Sequence, residues 1–315
     1  MKPFRKNVAI AIDGGGIRGV IVTKALSLLE SKLGKPVHEI FRLAAGTSTG
    51  SIIAAGVGSG LTAAQMHQLY ISLGETIFKK TWRTFFWPLT RFRFPHGPLA
   101  NALREHLGDK KMGDFWSANP PTDVVITTFD LLTNKTCFVK PYKREYKYWP
   151  VIRAVLASSS IPTYFPVVAG RYVDGGVGSY ANPCYLAAYE ACFCLKWDPA
   201  ETTLISLGTG RDPKTVIPGQ PERFMAWDWL TPTLDAFLAS AADQQVHIVD
   251  TFFQGMDFRR FQVDLKESLP LDDPRQIPKL EEYGEIMGKM ILADQYDGSL
   301  GVTPEMPASR RVFPV

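Results

Sequence analysis

The chain has 315 residues, 45% of them hydrophobic and 21% charged, with a formal charge of +4 at pH 7. This is the make-up of an ordinary globular protein with room for a sizeable core; the charge is too mild to argue for nucleic acid, although local basic clusters can still meet anionic lipid. The four cysteines (Cys137, Cys184, Cys192 and Cys194) are no disulfide framework at this length, and the Cys192/Cys194 pair lacks a second pair at metal-ligand spacing, so no metal site is expected.

The chain opens on Lys2, Arg5 and Lys6, followed by the apolar run 8–12. That run reads as a buried parallel strand and is too short for the core of a signal peptide. No later apolar stretch approaches the roughly 18–20 residues of a membrane span. The expected location is therefore cytoplasmic, with membranes touched from outside. After the glycine-rich turn 13–19, Val22, Leu26, Leu29 and Leu33 recur at helical spacing until Gly34 and Pro36 stop them. A second apolar segment, 41–45, runs into GTSTG (46–50), and the small apolar stretch after it continues as a buried helix. Thr62 and Gln65 make a capping box for a helix to about Phe78. Residues 81–98 are a compositional outlier, and Pro98 opens a short helix to Leu107.

Residues 122–129 and 136–140 read as strands around a turn at 132–135, and 149–159 as a helix broken by Ile161 and Pro162. Tyr172 and Val173 lead into Asp174-Gly175-Gly176. Asn182 and Pro183 cap a helix that carries the cysteines 184–194. Residues 204–207 form a strand closed by Gly208-Thr209-Gly210. The remainder holds a long helix near 233–253, a strand near 258–265 and a helix near 279–292. Strands alternating with helices predict an α/β fold, a mostly parallel sheet covered on both faces. There is no internal repeat, and only 212–219 resembles a linker. A single domain over 1–315 is expected, with a motif-bearing core at about 8–210 and a less distinctive part at 211–315.

GTSTG lies between a predicted strand and a predicted helix, where a nucleophile elbow needs a sharp turn. Glycines on both sides relieve crowding while Ser48 is held out at the sheet edge. The glycines of Asp13-Gly14-Gly15-Gly16-Ile17-Arg18-Gly19 leave backbone N–H groups free to meet an anion, and two readings compete. Gly14, Gly16 and Gly19 formally satisfy a dinucleotide fingerprint. That reading wants an acidic residue at the end of the next strand, where this chain has GTSTG. An oxyanion hole for Ser48, built from the amides of Gly14, Gly15 and Gly16 with Thr49, fits better. Arg18 either holds this loop or assists with charge, the alternative being a surface cation. Asp174, at a strand end before two glycines, is the candidate base; its plain alternative is a turn aspartate. A Ser48, Asp174, His247 triad follows the α/β-hydrolase order, but His247 falls inside a predicted helix.

DGGGIRG, GTSTG, SSSIPTYFP (158–166) and DGG, in this order, resemble the patatin-like phospholipases, and ISLGTG (205–210) is similar to a further block of that family. The resemblance covers about residues 8–210. It implies a three-layer α/β/α sandwich, a Ser48–Asp174 dyad, and an oxyanion hole at Gly14, Gly15, Gly16 and Arg18. It also implies hydrolysis of acyl esters of phospholipids or related lipids, without metal or cofactor. An acyltransferase working through the same acyl-enzyme, a nucleotide-binding protein and a catalytically silent scaffold are the alternatives.

Between Glu75 and Glu105 there is no acidic residue, and Lys79, Lys80, Arg83, Arg91, Arg93 and Arg104 are interleaved with aromatic residues. Rings at headgroup depth beside cations suit a membrane interface. Trp82, Phe85, Phe86, Trp87, Arg91 and Arg93 are therefore candidate membrane contacts, the alternative being rings that pack the loop onto the core. The expected partners are an acyl-lipid substrate and a membrane surface, with no nucleic acid.

Overall fold

The computed structural model describes residues 1–297, except 88, 119–120, 214–215, 217 and 226–227. Part of the linker-like stretch 212–219 and the tail 298–315 thus lie outside the described residues. β1 (Asn7–Ile12) divides its side chains between two cores: Val8, Ile10 and Ile12 enter one, Ala9 and Ala11 the other. Burial on both faces is why this strand is a continuous apolar run. A 3-10 turn leads into α1 (Gly19–Leu33), which ends at Gly34 with φ 62°. α2 (Val37–Ile40) precedes β2 (Leu43–Gly46), followed by α3 (Thr49–Gly58) and α4 (Ala63–Ile77). The Thr62/Gln65 capping box at the start of α4 is made in both directions. Next come α5 (Trp82–Phe85), α6 (His96–Leu107), α7 (Asp114–Ser117), the hairpin β3 (Asp123–Asp130) and β4 (Lys135–Val139), α8 (Val151–Ser158) and β5 (Tyr172–Asp174). α9 (Cys184–Tyr189) winds on into a π-helical turn, Glu190–Cys194. β6 (Thr202–Leu207), α10 (Leu230–Phe252), β7 (Asp257–Phe261) and α11 (Ile277–Leu292) complete the order. The strand expected near 258–265 ends at Phe261, and beyond it Asp264 makes one bridge to Arg211.

Among the described residues the sheet has seven strands in the order β4-β3-β2-β1-β6-β7, with β5 also on β3. β4 and β5 run antiparallel to β3; the other pairs are parallel. One core is built by α1, α3, α4, α6, α8 and α11, the other by α9 and α10, which gives three layers, α/β/α. Ile12 is level with both Gly46 and Leu207, so the turns after β1, β2 and β6 leave the sheet side by side. Because the chain turns to opposite sides of β1, these ends flank the crevice where open α/β sheets bind ligands. No described helix is long and apolar enough to cross a membrane.

Candidate active site

Ser48 sits at the head of α3 with φ 54° and ψ −125°, on the side of backbone space that L-residues avoid. Such a conformation costs about 1–3 kcal/mol and persists only when its surroundings impose it. Here they do. The Ser48 amide donates to Ser158 Oγ at 2.8 Å, and its carbonyl accepts from Ser51 Oγ at 2.6 Å and Ser159 Oγ at 3.1 Å. Thr47 Oγ1 donates to the Tyr180 carbonyl at 2.5 Å and lies 2.6 Å from Thr127 Oγ1. Thr49 Oγ1 and the Tyr70 hydroxyl are 2.6 Å apart. A side chain on Gly46 would strike the Gly50 carbonyl, and one on Gly50 the Ile12 carbonyl. The G-x-S-x-G spacing is thus the condition for β1, β2 and α3 to converge at the turn.

Asp174 is delivered to the same place by β5, where it is paired with Thr128 on β3. Its amide donates to the Ser160 carbonyl at 3.1 Å, and its Oδ1 accepts the Gly176 amide at 2.8 Å. The turn-aspartate reading therefore accounts for one carboxylate oxygen. The other, Oδ2, is buried and has no hydrogen-bond partner among the described residues. Burial pushes the carboxyl pKa up to about 6, with the Ser48 hydroxyl and the Gly176 amide as the neighbours that oppose the rise. A carboxylate with one oxygen uncommitted and a pKa near neutrality, beside a serine hydroxyl, is equipped to accept a proton.

The glycine loop lies against Ser48: a Cβ built on Gly14 would stand 3.1 Å from Ser48 Cβ. Gly16 has φ 57°, and a Cβ there would meet the Leu271 carbonyl at 2.5 Å. The Gly15, Gly16 and Thr49 amides have no acceptor among the described residues. Two expected contributors are used otherwise. The Gly14 amide donates to the Ala181 carbonyl at 2.9 Å, so Gly14 gives the loop its position and not a free donor. The Arg18 amide donates to the Gly15 carbonyl at 3.1 Å, and its guanidinium donates to the Leu269 carbonyl and to both oxygens of Asp212, at 2.8 and 2.9 Å. Arg18 is buried, hence no surface cation, and four of its five guanidinium N–H groups are spent on tying the loop down.

From Ser48 a narrow apolar cleft runs between α3, α4 and α6, past Ile52, Tyr70, Leu73, Ile77 and Leu99 to Phe78 and Phe165. His247 is exposed on α10. His67 is held between Thr23 and Glu281, and His96 bonds Ser160, so no described hydrogen bond joins a histidine to Ser48 or Asp174. Sequence reasoning missed Ser158, Ser159, Thr127 and Tyr70 as supports of the elbow. SSSIPTYFP contained the signal for the first two; Thr127 and Tyr70 have no local mark.

In the basic aromatic segment, Trp82 is 61% exposed, Phe85 83% and Phe86 52%, joined by Leu89 at 87%. Arg91 is also exposed. Two candidate contacts pack inward instead: Trp87 is half-buried under Arg93, whose guanidinium also stacks on Tyr164 at 4.5 Å and pairs with Asp272 at 3.4 Å. A ring and a cation that satisfy each other against the body of the protein leave less for a lipid surface.

Comparisons with known proteins bear on this arrangement. Calcium-independent phospholipase A2-gamma of Homo sapiens is 29% identical over 301 residues, covering 84% of this chain and 36% of that protein. Patatin-1-Kuras 2 of Solanum tuberosum is 26% identical over 292 residues, covering 78% of this chain and 75% of that one. The chain thus spans about a third of the length of its mammalian relatives. Among solved structures, VipD from Legionella pneumophila aligns over 93% of this chain and 67% of its own, with a TM-score of 0.49 and 11% identity. The family model described as Patatin-like phospholipase matches residues 10–188, more than half of the chain and the span that carries the end of β1, the glycine loop, the Ser48 elbow and Asp174. On that match the chain belongs to the patatin-like phospholipase family.

Proposed function

We propose that this chain is a serine lipid acyl hydrolase in which Ser48 is the nucleophile and Asp174 its base. The observation that carries the reading is the uncommitted Asp174 Oδ2, buried beside a serine held in a strained turn. Ser48 Oγ attacks the ester carbonyl carbon while Asp174 takes its proton. The oxyanion is held by the Gly15, Gly16 and Thr49 amides. Collapse expels the alcohol, which takes the proton back from Asp174, and leaves an acyl-enzyme. Water, deprotonated by the same carboxylate, then releases the fatty acid. The apolar cleft that starts at Ser48 accepts the acyl chain, because its walls offer almost no polar partner to a headgroup. Trp82, Phe85, Phe86 and Leu89, with Arg83 and Arg91 alongside, meet the lipid surface. Related phospholipases A2 from Homo sapiens and Caenorhabditis elegans support a phospholipid substrate.

The test is fatty-acid release from mixed phospholipid vesicles by wild type, Ser48→Ala and Asp174→Ala, with a fluorophosphonate probe for the serine. Release and labelling by wild type alone are expected. Equal release by all three would sink the dyad. Supplying lysolipid or alcohol acceptors and analysing the products separates hydrolysis from acyl transfer.

A further inference from the structure

The loop that offers the Gly15 and Gly16 amides is fastened at its first residue by a buried ion pair. Asp13 immediately precedes Gly14. Its Oδ1 and Oδ2 accept from Arg260 Nη1 and Nη2 at 2.9 and 2.6 Å, and both residues are buried. Arg260 lies on β7, level with Ser206 of β6, which is itself level with Ala11 of β1. Asp13 follows Ala11 by two residues and so leaves the sheet on the same face. Arg260 thus reaches across one strand to grip the chain where it departs for the glycine loop. On the way Nη1 donates to Ser206 Oγ at 2.8 Å, and Ser206 in turn contacts Asn182 Oδ1 at 3.5 Å. Asn182 follows Ala181, whose carbonyl accepts the Gly14 amide, so one network joins Arg260, Asp13 and the segment that receives the loop.

Resting on the hydrolase reading above, we propose that Arg260 is a positioning residue for the oxyanion hole: its two-pronged grip on Asp13 sets where the Gly15 and Gly16 amides stand relative to Ser48. Arg260 lies outside the span 10–188 matched by the family model. A buried ion pair is a poor source of net stability, because desolvation offsets most of the attraction, but it admits only one geometry. Its role is therefore read in turnover, not in folding. Removing one partner strands the other charge in the interior, whereas replacing both by apolar side chains of similar size is tolerated.

The deciding variant is the double Asp13→Leu/Arg260→Met, measured beside Arg260→Lys, Ser48→Ala and wild type on a soluble acyl ester. The active-site serine is titrated to completion with a fluorophosphonate, so that kcat refers to competent molecules. The double variant is expected to retain its thermal midpoint and KM while kcat per titrated serine falls about 10²-fold, the scale of losing one oxyanion donor. Arg260→Lys, which keeps the charge and one prong, should recover part of that loss. A double variant that turns over at the wild-type kcat overturns the proposal, as does a loss carried by KM. Should the double variant not fold, Arg260→Lys decides, a wild-type kcat again overturning the idea. Ser48→Ala separates the two layers: if it is as active as wild type, the hydrolase reading falls and not the tether alone.

Discussion

Asp174 and Ser48 are each held in a form that an isolated residue would not choose. The folded pKa of Asp174, about 6, stands above its unfolded value, so folding favours the protonated acid. That contribution is fully present below about pH 4 and is lost as pH rises through 6. As the proposed base, Asp174 must act in the opposite form: kcat/KM should fall on the acid side with a midpoint near pH 6 and level off above it, as followed by ester hydrolysis across pH 4.5–8.5. Asp174→Asn removes the cost of the buried charge, so urea titration at pH 8 should find it about 3 kcal/mol more stable than wild type, the gap closing towards pH 4. A gap independent of pH would mean that the carboxyl is not desolvated. For Ser48 the strain lies in the backbone. Ser48→Gly should be about 1 kcal/mol more stable than Ser48→Ala, since glycine alone adopts this φ without a clashing Cβ. Equal stabilities would argue against a strained elbow.

Elements with local causes were legible. The Thr62/Gln65 box, the left-handed Gly34 and the apolar runs of β1 and β2 announce themselves within a few residues, and each is where the chain pattern puts it. The candidate site was legible as far as its motifs reach. Its supports were not, because they are contacts across the fold: Ser158 meets Ser48 from 110 residues away, and Arg260 meets Asp13 from 247. An arginine in a strand carries no mark of the partner it will find. The short helix α5 was also missed, since four residues with no buried side chain have no apolar period to read. That exposure carries a prediction. Phe85→Ser/Phe86→Ser should leave the thermal midpoint nearly unchanged, and should weaken binding to anionic vesicles by roughly tenfold or more in a sedimentation assay, given the apolar surface lost. Unchanged vesicle binding would remove α5 from the lipid interface.

On the scale of the whole molecule, the segment after 210 is structurally continuous with the site. Leu269 and Asp212 receive Arg18, Leu271 receives the Ile17 amide, and β7 covers the edge of β6. A chain cut after residue 210 should therefore lose fluorophosphonate labelling of Ser48 by more than about tenfold, and should aggregate through the bared strand. Labelling at the full rate would show that the motif-bearing part is self-sufficient. The two catalytic candidates also reach the crevice by opposite routes. Ser48 follows a strand running outward with the parallel sheet, while Asp174 ends a short strand coming back against β3. Within the long excursion that precedes that return, the loop 140–150 can change length without moving the carboxylate, whereas Ser158, Ser159 and Ser160 cannot shift, because they bond Ser48 and the Asp174 amide. A single residue inserted within β5 is another matter: it would shift Asp174 by about 3.3 Å and turn it to the far side of the sheet. Lineages descended from this architecture are therefore free to remodel that loop, while the serines 158–160 and three residues of β5 hold the two candidate groups at one spacing.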